Sequence, residues 1–343
     1  MEDIDMNYES FIKEVQRGVK ELIEKKLDDG TVVVRNVLKN NNVRMKAISV
    51  VRKEEKATPT IYLRNYYVDY QHGRTIQNIC HEIFEIYRHG IDNFKMDIDI
   101  GDISNFDRIK DFIYYKIVNY EMNQSLLTKV PHFKFLDLAI VFYIMVSRDN
   151  EGQATALIYN QHVDGWEITP DMLRNIAFQN TWSKFPVVIR RMEDIVSEMI
   201  LNDILGDEEW VDEYDDEYDD DFINEDTEYG DYTYGELKGI VQEEVESLKI
   251  EDLNMYVMSN TMKLNGAICI TYPNAIKDFA MEHNCDIYII PSSVHEVILI
   301  PNIQCSLETI NDLIKDVNRR QLDPTEILSD HAYVYRVETG EIE

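Results

Sequence analysis

One segment of the sequence, residues 203–236, limits more than any other feature what the chain can fold into. It holds 17 aspartates and glutamates and no lysine or arginine. Since neighbouring carboxylates repel one another and the segment offers no cation to pair with them, it is not expected to build a packed core. We therefore predict a flexible linker or insertion here, with structured regions on both sides.

The acidic segment also accounts for more than half of the net charge of −31. Of the 65 acidic residues 17 lie in it, so 48 remain elsewhere against 34 lysines and arginines. Proteins that bind nucleic acids or anionic membranes need cations to neutralise phosphate groups. The short basic cluster at residues 52–56 also contains Glu54 and Glu55. We therefore expect no direct nucleic-acid binding and no membrane association.

Neither a secretory signal nor a membrane span is predicted. The N-terminus lacks the basic and apolar regions of a signal peptide. The longest apolar stretch, residues 135–146, contains Asp137 and is shorter than the roughly 20 residues that a spanning helix needs. The cysteines lie far apart without a Cys-x-x-Cys pair, which disfavours a zinc ribbon or a dithiol redox site. We expect a cytoplasmic protein with reduced cysteines and no cofactor.

The pattern of apolar residues predicts an α+β fold with mostly antiparallel sheets. A first helix follows Asn7, a good N-cap residue, and a hairpin is predicted from residues 31–38 and 43–51. The order of a hairpin followed by a helix recurs from residues 31, 135 and 255, without residue-level identity between the three units. Since the strands join through short turns, antiparallel pairing is favoured over a doubly wound parallel sheet.

Three further elements belong to this prediction. They are a helix over residues 103–122, a return strand at residues 266–271 and a short helix opened by a capping box at residues 323–326. The chain is divided into an N-terminal α+β region (residues 1–125), a middle hairpin and helix region (126–202), the acidic linker or insertion (203–236) and a C-terminal α+β region (237–343).

Several short motifs, spread over most of the chain, are similar to those of one bacterial family. The most distinctive are Pro291-Ser292-Ser293-Val294-His295-Glu296-Val297 and Leu328-Ser329-Asp330-His331. The others are Pro59-Thr60-Ile61-Tyr62-Leu63, Tyr66-Tyr67, Tyr70, Gly73, Tyr256-Val257, Asn260, Gly266-Ala267 and Tyr272-Pro273. In these motifs the chain resembles the uncharacterised family "domain of unknown function 5688". The resemblance implies one coherent folded chain and a cytoplasmic protein of anaerobic gut-type bacteria, and it implies no activity, cofactor or catalytic residue.

The Ser-Ser-Val-His-Glu motif is the first candidate for chemistry. In an extended segment Ser293 and His295 point to the same side and Glu296 to the other, which is compatible with a nucleophile and its base. The chain has no Gly-x-Ser-x-Gly elbow to support such a nucleophile. The favoured interpretation is a hairpin connection whose side chains form local hydrogen bonds.

Asp330 and His331 are the second candidate, between a short predicted helix and the last strand. If the fold brings them to His295 and Glu296, the four side chains have the mixed imidazole and carboxylate character of a metal site. A water bound to such a metal could be ionised near neutral pH, which is the chemistry that a metal-assisted hydrolase needs. Local hydrogen bonding at a helix end is the simpler interpretation.

A third candidate lies in the helix predicted near residue 75. His81, Glu85 and His89 are spaced by four residues, so they share one face, off the apolar stripe. A divalent cation is one interpretation, but the second histidine of a His-Glu-x-x-His motif is missing. An exposed helix face is favoured, and no metal is expected.

The preferred hypothesis is a non-enzymatic binding or regulatory protein, because the sequence holds no complete set of catalytic residues. The centre of the acidic segment supplies carboxylates for a basic protein partner and tyrosine rings for contact area. Its residues are Tyr214, Asp215, Asp216, Tyr218, Asp219, Asp220 and Asp221. The alternative is a hydrolase, possibly assisted by a metal, that uses His295, Glu296, Asp330 and His331. The oligomeric state stays open.

Overall fold

The computed structural model of the chain describes residues 6–27, 29–53, 58–92, 100–149, 152–205, 239, 241, 254–302 and 306–343. Its contacts divide the chain into two compact units, residues 1–181 and 182–343. Helices occur together with sheets, and the strand pairings among the described residues are antiparallel, which confirms the predicted α+β class. The finer division into four regions stays a prediction.

The elements of the described residues have the following bounds. The helices are α1 (Tyr8–Lys26), α2 (Leu63–Gln71), α3 (Ile76–Asp92), α4 (Phe106–Ile109), α5 (Gln124–Leu127), α6 (Asn160–Gly165), α7 (Pro170–Lys184), α8 (Met192–Leu205), α9 (Ala275–His283) and α10 (Leu307–Arg320). The strands are β1 (Thr31–Leu38), β2 (Arg44–Val51), β3 (Ile61–Tyr62), β4 (Ile113–Asn119), β5 (His132–Phe135), β6 (Leu138–Asp149), β7 (Gly152–Leu157), β8 (Val187–Arg191), β9 (Tyr256–Asn260), β10 (Ile287–Ile290), β11 (Val297–Pro301), β12 (Tyr333–Arg336) and β13 (Glu341–Ile342). None of the described helices combines the length and apolar character that crossing a membrane requires.

The first core of residues 1–181 is built by α1, α2 and α3 together with the sheet β1-β2-β3. Helix α1 begins after Asn7, whose side chain accepts the N–H of Ser10 at 3.0 Å, which confirms the predicted N-cap. The helix buries the apolar stripe that its spacing predicts, which contains Phe11, Val15, Val19 and Ile23. The hairpin of β1 and β2 also follows the prediction, with Thr31 opposite Val51.

The second sheet of this unit is organised around β6. This strand pairs with β4 on one side, and with β5 and β7 along successive parts of the other. It contains most of the long apolar run at residues 135–146, and its side chains from Leu138 to Val146 are buried on both faces. Such a run is typical of a central strand, as the sequence predicts.

The unit formed by residues 182–343 contains a six-stranded sheet with the order β13-β12-β10-β11-β9-β8. Strand β9 lies between β8 and β11, and its pairing with β8 runs from Asn260 opposite Val187 to Tyr256 opposite Arg191. The chain between these two paired strands contains α8 and the acidic segment. Residues 206–236 of that segment lie outside the described residues.

Three predicted elements are wrong. The helix expected at residues 103–122 contains β4, preceded by short helical turns. The strand expected at residues 266–271 is a 3-10 helix, Gly266–Thr271, which is buried from Gly266 to Ile270. Where a short helix was expected from Asp323, the chain forms a turn in which the Asp323 carboxylate accepts the N–H of Thr325 at 2.8 Å. In the first two cases the segment is buried on more than one side, so its apolar residues carry no diagnostic period.

Candidate functional site

The loop between β10 and β11 carries the Ser-Ser-Val-His-Glu motif. Since these two strands are antiparallel neighbours, the loop is a hairpin connection, as predicted. The side chain of Ser293 is buried, and its Oγ accepts the backbone N–H of His295 at 3.0 Å. The N–H of Ser293 in turn donates to the carbonyl oxygen of Glu296 at 3.2 Å. The serine hydroxyl therefore fixes the shape of the turn.

The ring of His295 is held by the backbone of a neighbouring segment. Its Nδ1 accepts the N–H of Asn265 at 3.2 Å. In the neutral imidazole the proton then lies on Nε2, which faces Oε1 of Glu326 at 3.9 Å. The carboxylate of Glu296 instead accepts the hydroxyl of Ser292 at 3.5 Å. The candidate side chains of this loop thus make separate local contacts.

This arrangement sets conditions on any chemistry at the loop. A histidine that acts as a base for Ser293 needs an available ring nitrogen within hydrogen-bond distance of the serine Oγ. Here both Nδ1 of His295 and Oγ of Ser293 already accept backbone N–H groups. A metal ion at Nε2 would require the ring proton on Nδ1, which would break the hydrogen bond from Asn265. The geometry therefore favours a structural role for both side chains.

Close packing at Gly266 joins this loop to β9. A Cβ atom at Gly266 would overlap Oγ of Ser259 and lie 2.5 Å from the carbonyl oxygen of His295. The Ser259 hydroxyl donates to that carbonyl oxygen at 2.9 Å, and the N–H of Ala267 donates to the carbonyl oxygen of Val294 at 3.3 Å. Two of the distinctive motifs, Gly266-Ala267 and the Ser-Ser-Val-His-Glu loop, therefore meet at this corner.

Asp330 and His331 lie in the segment that leads into β12. One oxygen of Asp330 accepts a hydrogen bond from Nδ2 of Asn318, on α10, at 2.9 Å. The same Nδ2 also donates to the carbonyl oxygen of Ser329 at 3.0 Å. Nδ1 of His331 lies 3.2 Å from Oγ of Ser329, and its ring meets Tyr333 edge-on with centroids 5.2 Å apart. These contacts attach the motif to α10. In the part of the chain that the structure describes, no group of three or more His, Cys, Asp or Glu is placed to hold a metal ion.

The third candidate lies on α3, where His81, Glu85 and His89 are exposed. The carboxylate of Glu85 lies 3.8 Å from Nζ of Lys26 and 3.6 Å from the guanidinium of Arg88. Exposed ion pairs of this kind contribute roughly 0.2–1 kcal/mol each. The carboxylate thus takes part in ion pairs of the helix surface, which fits the exposed helix face that the sequence favours.

The predicted partner-binding residues of the acidic segment lie outside the described residues. They are Tyr214, Asp215, Asp216, Tyr218, Asp219, Asp220 and Asp221. The structure does show what flanks their segment: α8 ends at Leu205, and β9 begins at Tyr256. Because β9 pairs directly with β8, the segment belongs to a connection between two neighbouring strands.

Lys116 was not among the predicted site residues, because the run around it has the apolar spacing of a helix. It lies in the middle of β4 and is the one charged residue of that strand. Burial, and to a lesser extent the positive charge of Lys39, lower the pKa of the Lys116 ammonium below its ordinary value. The sequence does contain a signal for this residue, since Lys116 is a single lysine among the apolar residues Ile113 to Val118.

Comparison with known protein families finds a match that covers most of the chain. The model described as "Family of unknown function (DUF5688)" matches residues 8–337, which confirms the resemblance noted in the sequence motifs. Comparison with curated proteins and with solved structures gives no match.

Proposed function

Because the chain belongs to the DUF5688 family of unknown function, which lends it no activity, we propose a function from its own residues. It is a cytoplasmic, non-enzymatic binding or regulatory protein whose acidic segment, residues 203–236, binds a basic protein partner. The concentration of 17 carboxylates in this one segment is the observation that carries the proposal. Dense carboxylates attract cationic surfaces, and the interleaved tyrosines add contact area.

The position of the segment in the topology supports this role. Strands β8 and β9 pair with each other directly, so the sheet does not depend on the length of the chain that connects them. The sequence of such a connection can therefore change to suit a binding partner while the register of the two strands stays the same. The same reasoning explains why so many like charges are tolerated next to a folded unit.

The hydrogen bonds of the candidate residues Ser293, His295 and Asp330 support a binding protein over an enzyme. Ser293 and His295 both accept backbone N–H groups, and Asp330 accepts the amide of Asn318. Each group thereby stabilises a loop or the contact of a loop with α10. The alternative, a hydrolase that uses His295, Glu296, Asp330 and His331, stays a prediction for which zinc analysis of the purified protein is the direct measurement.

Affinity enrichment from native cell extract tests the proposal. The full chain is compared with a variant in which residues 206–236 are replaced by a short Gly-Ser linker. A second variant changes the five aspartates Asp215, Asp216, Asp219, Asp220 and Asp221 to asparagine. We expect the full chain to enrich a basic protein that neither variant enriches. Its binding to the full chain is expected to weaken at high ionic strength, because salt screens exposed charges.

The matched control changes the net charge by the same amount as the five-aspartate variant, but at residues outside the acidic segment. It replaces five exposed glutamates of the two units by glutamine: Glu21, Glu282, Glu308, Glu338 and Glu341. If binding depends on the segment itself, this control retains the partner. A partner set that is the same for the full chain and for the variant without residues 206–236 would show that the proposal is wrong.

A further inference from the structure

Strand β1 lies at an edge of its sheet. In the part of the chain that the structure describes, it pairs with β2 on one side and with no strand on the other. The strand holds four valines and ends at Leu38, whose surface is 47% exposed. A long, partly apolar edge of this kind is a template on which another extended chain can pair.

The hydrogen bonds around β1 show which of its backbone groups point away from β2. Val32 lies opposite Val50, and the carbonyl oxygen of each accepts a hydrogen bond from outside this pair of strands. The oxygen of Val32 accepts Nε2 of Gln16 at 3.2 Å, and that of Val50 accepts the hydroxyl of Thr58 at 2.7 Å. The two valines therefore form a non-hydrogen-bonded pair, whose N–H and C=O groups point away from each other.

The same orientation recurs at every second residue of β1. Alternate pairs of an antiparallel ladder are of the same type, so Val34, Asn36 and Leu38 also direct their N–H and C=O groups outward. The end of the hairpin agrees, since the N–H of Lys39 donates to the carbonyl oxygen of Val43 at 2.8 Å, as in a hydrogen-bonded pair. Among the described residues, the outward groups of these three residues have no hydrogen-bond partner. They repeat every two residues, or about 7 Å, as the groups of an extended peptide do.

The hairpin that presents this edge is basic. Residues 31–53 contain six lysines and arginines and no aspartate or glutamate, although the whole chain has 65 acidic against 34 basic residues. Arg35 and Arg44 are exposed, and no described residue forms an ion pair with either of them. Lys46 lies 3.9 Å from the carboxylate of Glu9, in an exposed contact of the kind that contributes little. The edge therefore offers cations to a carboxylate from outside.

Helix α1 adds cations beside the same edge. Gln16 reaches the carbonyl oxygen of Val32, so the side of the helix that carries Gln16 lies along β1. Lys13, Arg17 and Lys20 are three or four residues apart and share this side. The last two make exposed ion pairs with glutamates of the same helix, whereas Lys13 is exposed and has no ion pair within the described ranges.

We infer that the outer edge of β1 binds an extended acidic segment of another protein, which adds a strand to the sheet. The outward groups of Val34, Asn36 and Leu38 pair with the backbone of this segment. Its carboxylates contact Arg35 on the strand and Lys13 on the helix. The surface is independent of the acidic segment of this chain, and it requires a partner of the opposite charge to the basic protein proposed above.

The charges of the edge select this occupant over two others. Two copies of the chain that paired through β1 would bring Arg35 of each copy beside the basic edge of the other, which disfavours pairing. A nucleic acid would neutralise the cations, but it has no alternating N–H and C=O groups to pair with the outward groups of β1. An acidic peptide satisfies both the backbone groups and the cations.

Peptide binding to the intact protein tests the inference. The probe is a fluorescently labelled nine-residue peptide in which glutamate alternates with valine, and its anisotropy gives the dissociation constant. Binding is measured with the full chain and with the variant whose residues 206–236 are replaced by a linker, so that competition by the protein's own carboxylates is detected.

Residue-resolved hydrogen exchange then locates the bound peptide. At saturation, the amides of Val34, Asn36 and Leu38 are expected to exchange at least about tenfold more slowly, because they become hydrogen-bonded. The amides of Val33 and Arg35 already face β2 and are expected to stay unchanged. This comparison is made on the wild-type protein and needs no variant to fold.

An Asn36→Pro variant tests the pairing of the backbone. Proline removes an N–H that points away from β2, so the hairpin keeps its own hydrogen bonds while the outer edge loses a donor. The peptide is expected to bind at least about tenfold more weakly. Asn36→Ala retains the N–H and is the matched control, with an affinity expected to lie within about twofold of that of the wild type.

A double variant, Lys13→Gln with Arg35→Gln, tests the charges. Its affinity for the peptide is expected to be about threefold to tenfold lower at low ionic strength, and to differ little at high ionic strength, because salt screens exposed charges. The matched control, Lys277→Gln with Arg319→Gln, removes one exposed lysine and one exposed arginine from the other compact unit. It is expected to bind the peptide as the wild type does.

Three results would overturn the inference. The first is the absence of binding to both forms of the protein. The second is binding without a change at the three outward amides, or equally tight binding of a peptide that is methylated at its backbone nitrogens, since either result would show that no strand is added. The third is a single-stranded DNA oligonucleotide that binds as tightly as the peptide, which would show a surface for polyanions in general.

Discussion

At the scale of single residues, the loop that carries Ser293 and His295 is defined by what it packs against. Gly266 lets the 3-10 helix approach β9 and the loop so closely that a methyl group has no room. A Cβ atom there would lie 2.5 Å from the carbonyl oxygen of His295 and 2.8 Å from the backbone nitrogen of Asn260. Because backbone atoms cannot move aside as a side-chain end can, glycine is required at this position.

A Gly266→Ala substitution is therefore expected to lower the free energy of unfolding by about 1–3 kcal/mol, the usual cost of overpacking. The measurement is the unfolding of residues 182–343 by urea in the intact chain, detected by hydrogen exchange of the backbone amides in this unit. The matched control is Gly165→Ala at the end of α6, where a Cβ atom meets nothing within 4 Å. That variant is expected to stay within about 0.5 kcal/mol of the wild type. Equal stability of the two variants would contradict the close approach.

Residue-level signals in the sequence succeeded where their cause is local. Asn7 caps α1, as predicted, because a capping side chain needs only the next three residues. Lys116 could not be identified in this way. The pKa of Lys116 is lowered first by burial and to a lesser extent by the charge of Lys39, and both depend on the folded structure.

At the scale of elements, helices α1 and α3 pack together through a small residue on one and a thiol on the other. A Cβ atom at Gly18 would lie 2.6 Å from Sγ of Cys80. The buried thiol donates to the carbonyl oxygen of Val15 at 3.6 Å, and burial raises the pKa of the Cys80 thiol to about 11. The cysteine therefore serves packing and not thiolate chemistry.

A double-mutant cycle measures this contact. Gly18→Ala adds helix propensity of about 1 kcal/mol but places its methyl group against Sγ. In a Cys80→Ala background the obstacle is gone, so the same substitution is expected to become stabilising. The coupling in the free energy of unfolding is expected to be at least about 1 kcal/mol in favour of the double variant. Additive effects of the two substitutions, measured by urea denaturation, would show that the helices adjust without this contact.

The elements that the sequence predicted correctly are those with one buried face or with two uniformly apolar faces. Helix α1 has a clear stripe, and β6 has a run too apolar and too rich in β-branched residues for a surface helix. The prediction for the segment that forms β4 was wrong because Ile113 and Ile117 are four residues apart, a spacing that also suits a helix. Its second face, with Tyr114 and Val118, is buried as well, so the alternation that marks a strand is absent.

At the scale of the whole molecule, charge is distributed unevenly along the chain. The acidic segment holds 17 of the 65 acidic residues, whereas the rest of the chain has a moderate excess of 48 over 34. Repulsion between the segment and the rest of the protein disfavours compact states at low ionic strength. The segment is therefore expected to affect the stability of the protein through its long-range field.

Replacement of residues 206–236 by a short linker is expected to leave a cooperative unfolding transition. At low ionic strength the free energy of unfolding is expected to rise slightly, by less than about 1 kcal/mol, because repulsion is removed. At high ionic strength the two proteins are expected to be equally stable, since salt screens the repulsion. Thermal unfolding over a salt series gives both values. Loss of the cooperative transition would show that the segment is part of the fold.

The direct pairing of β8 with β9 has a consequence for how the chain tolerates change. The entropic cost of closing a loop grows only with the logarithm of its length, by about 0.6 kcal/mol for each doubling. Once a connection between two neighbouring strands is long, further growth therefore costs the sheet little. Insertion of a fluorescent protein between residues 206 and 236 follows as a practical route to labelling this protein while its strand order is preserved.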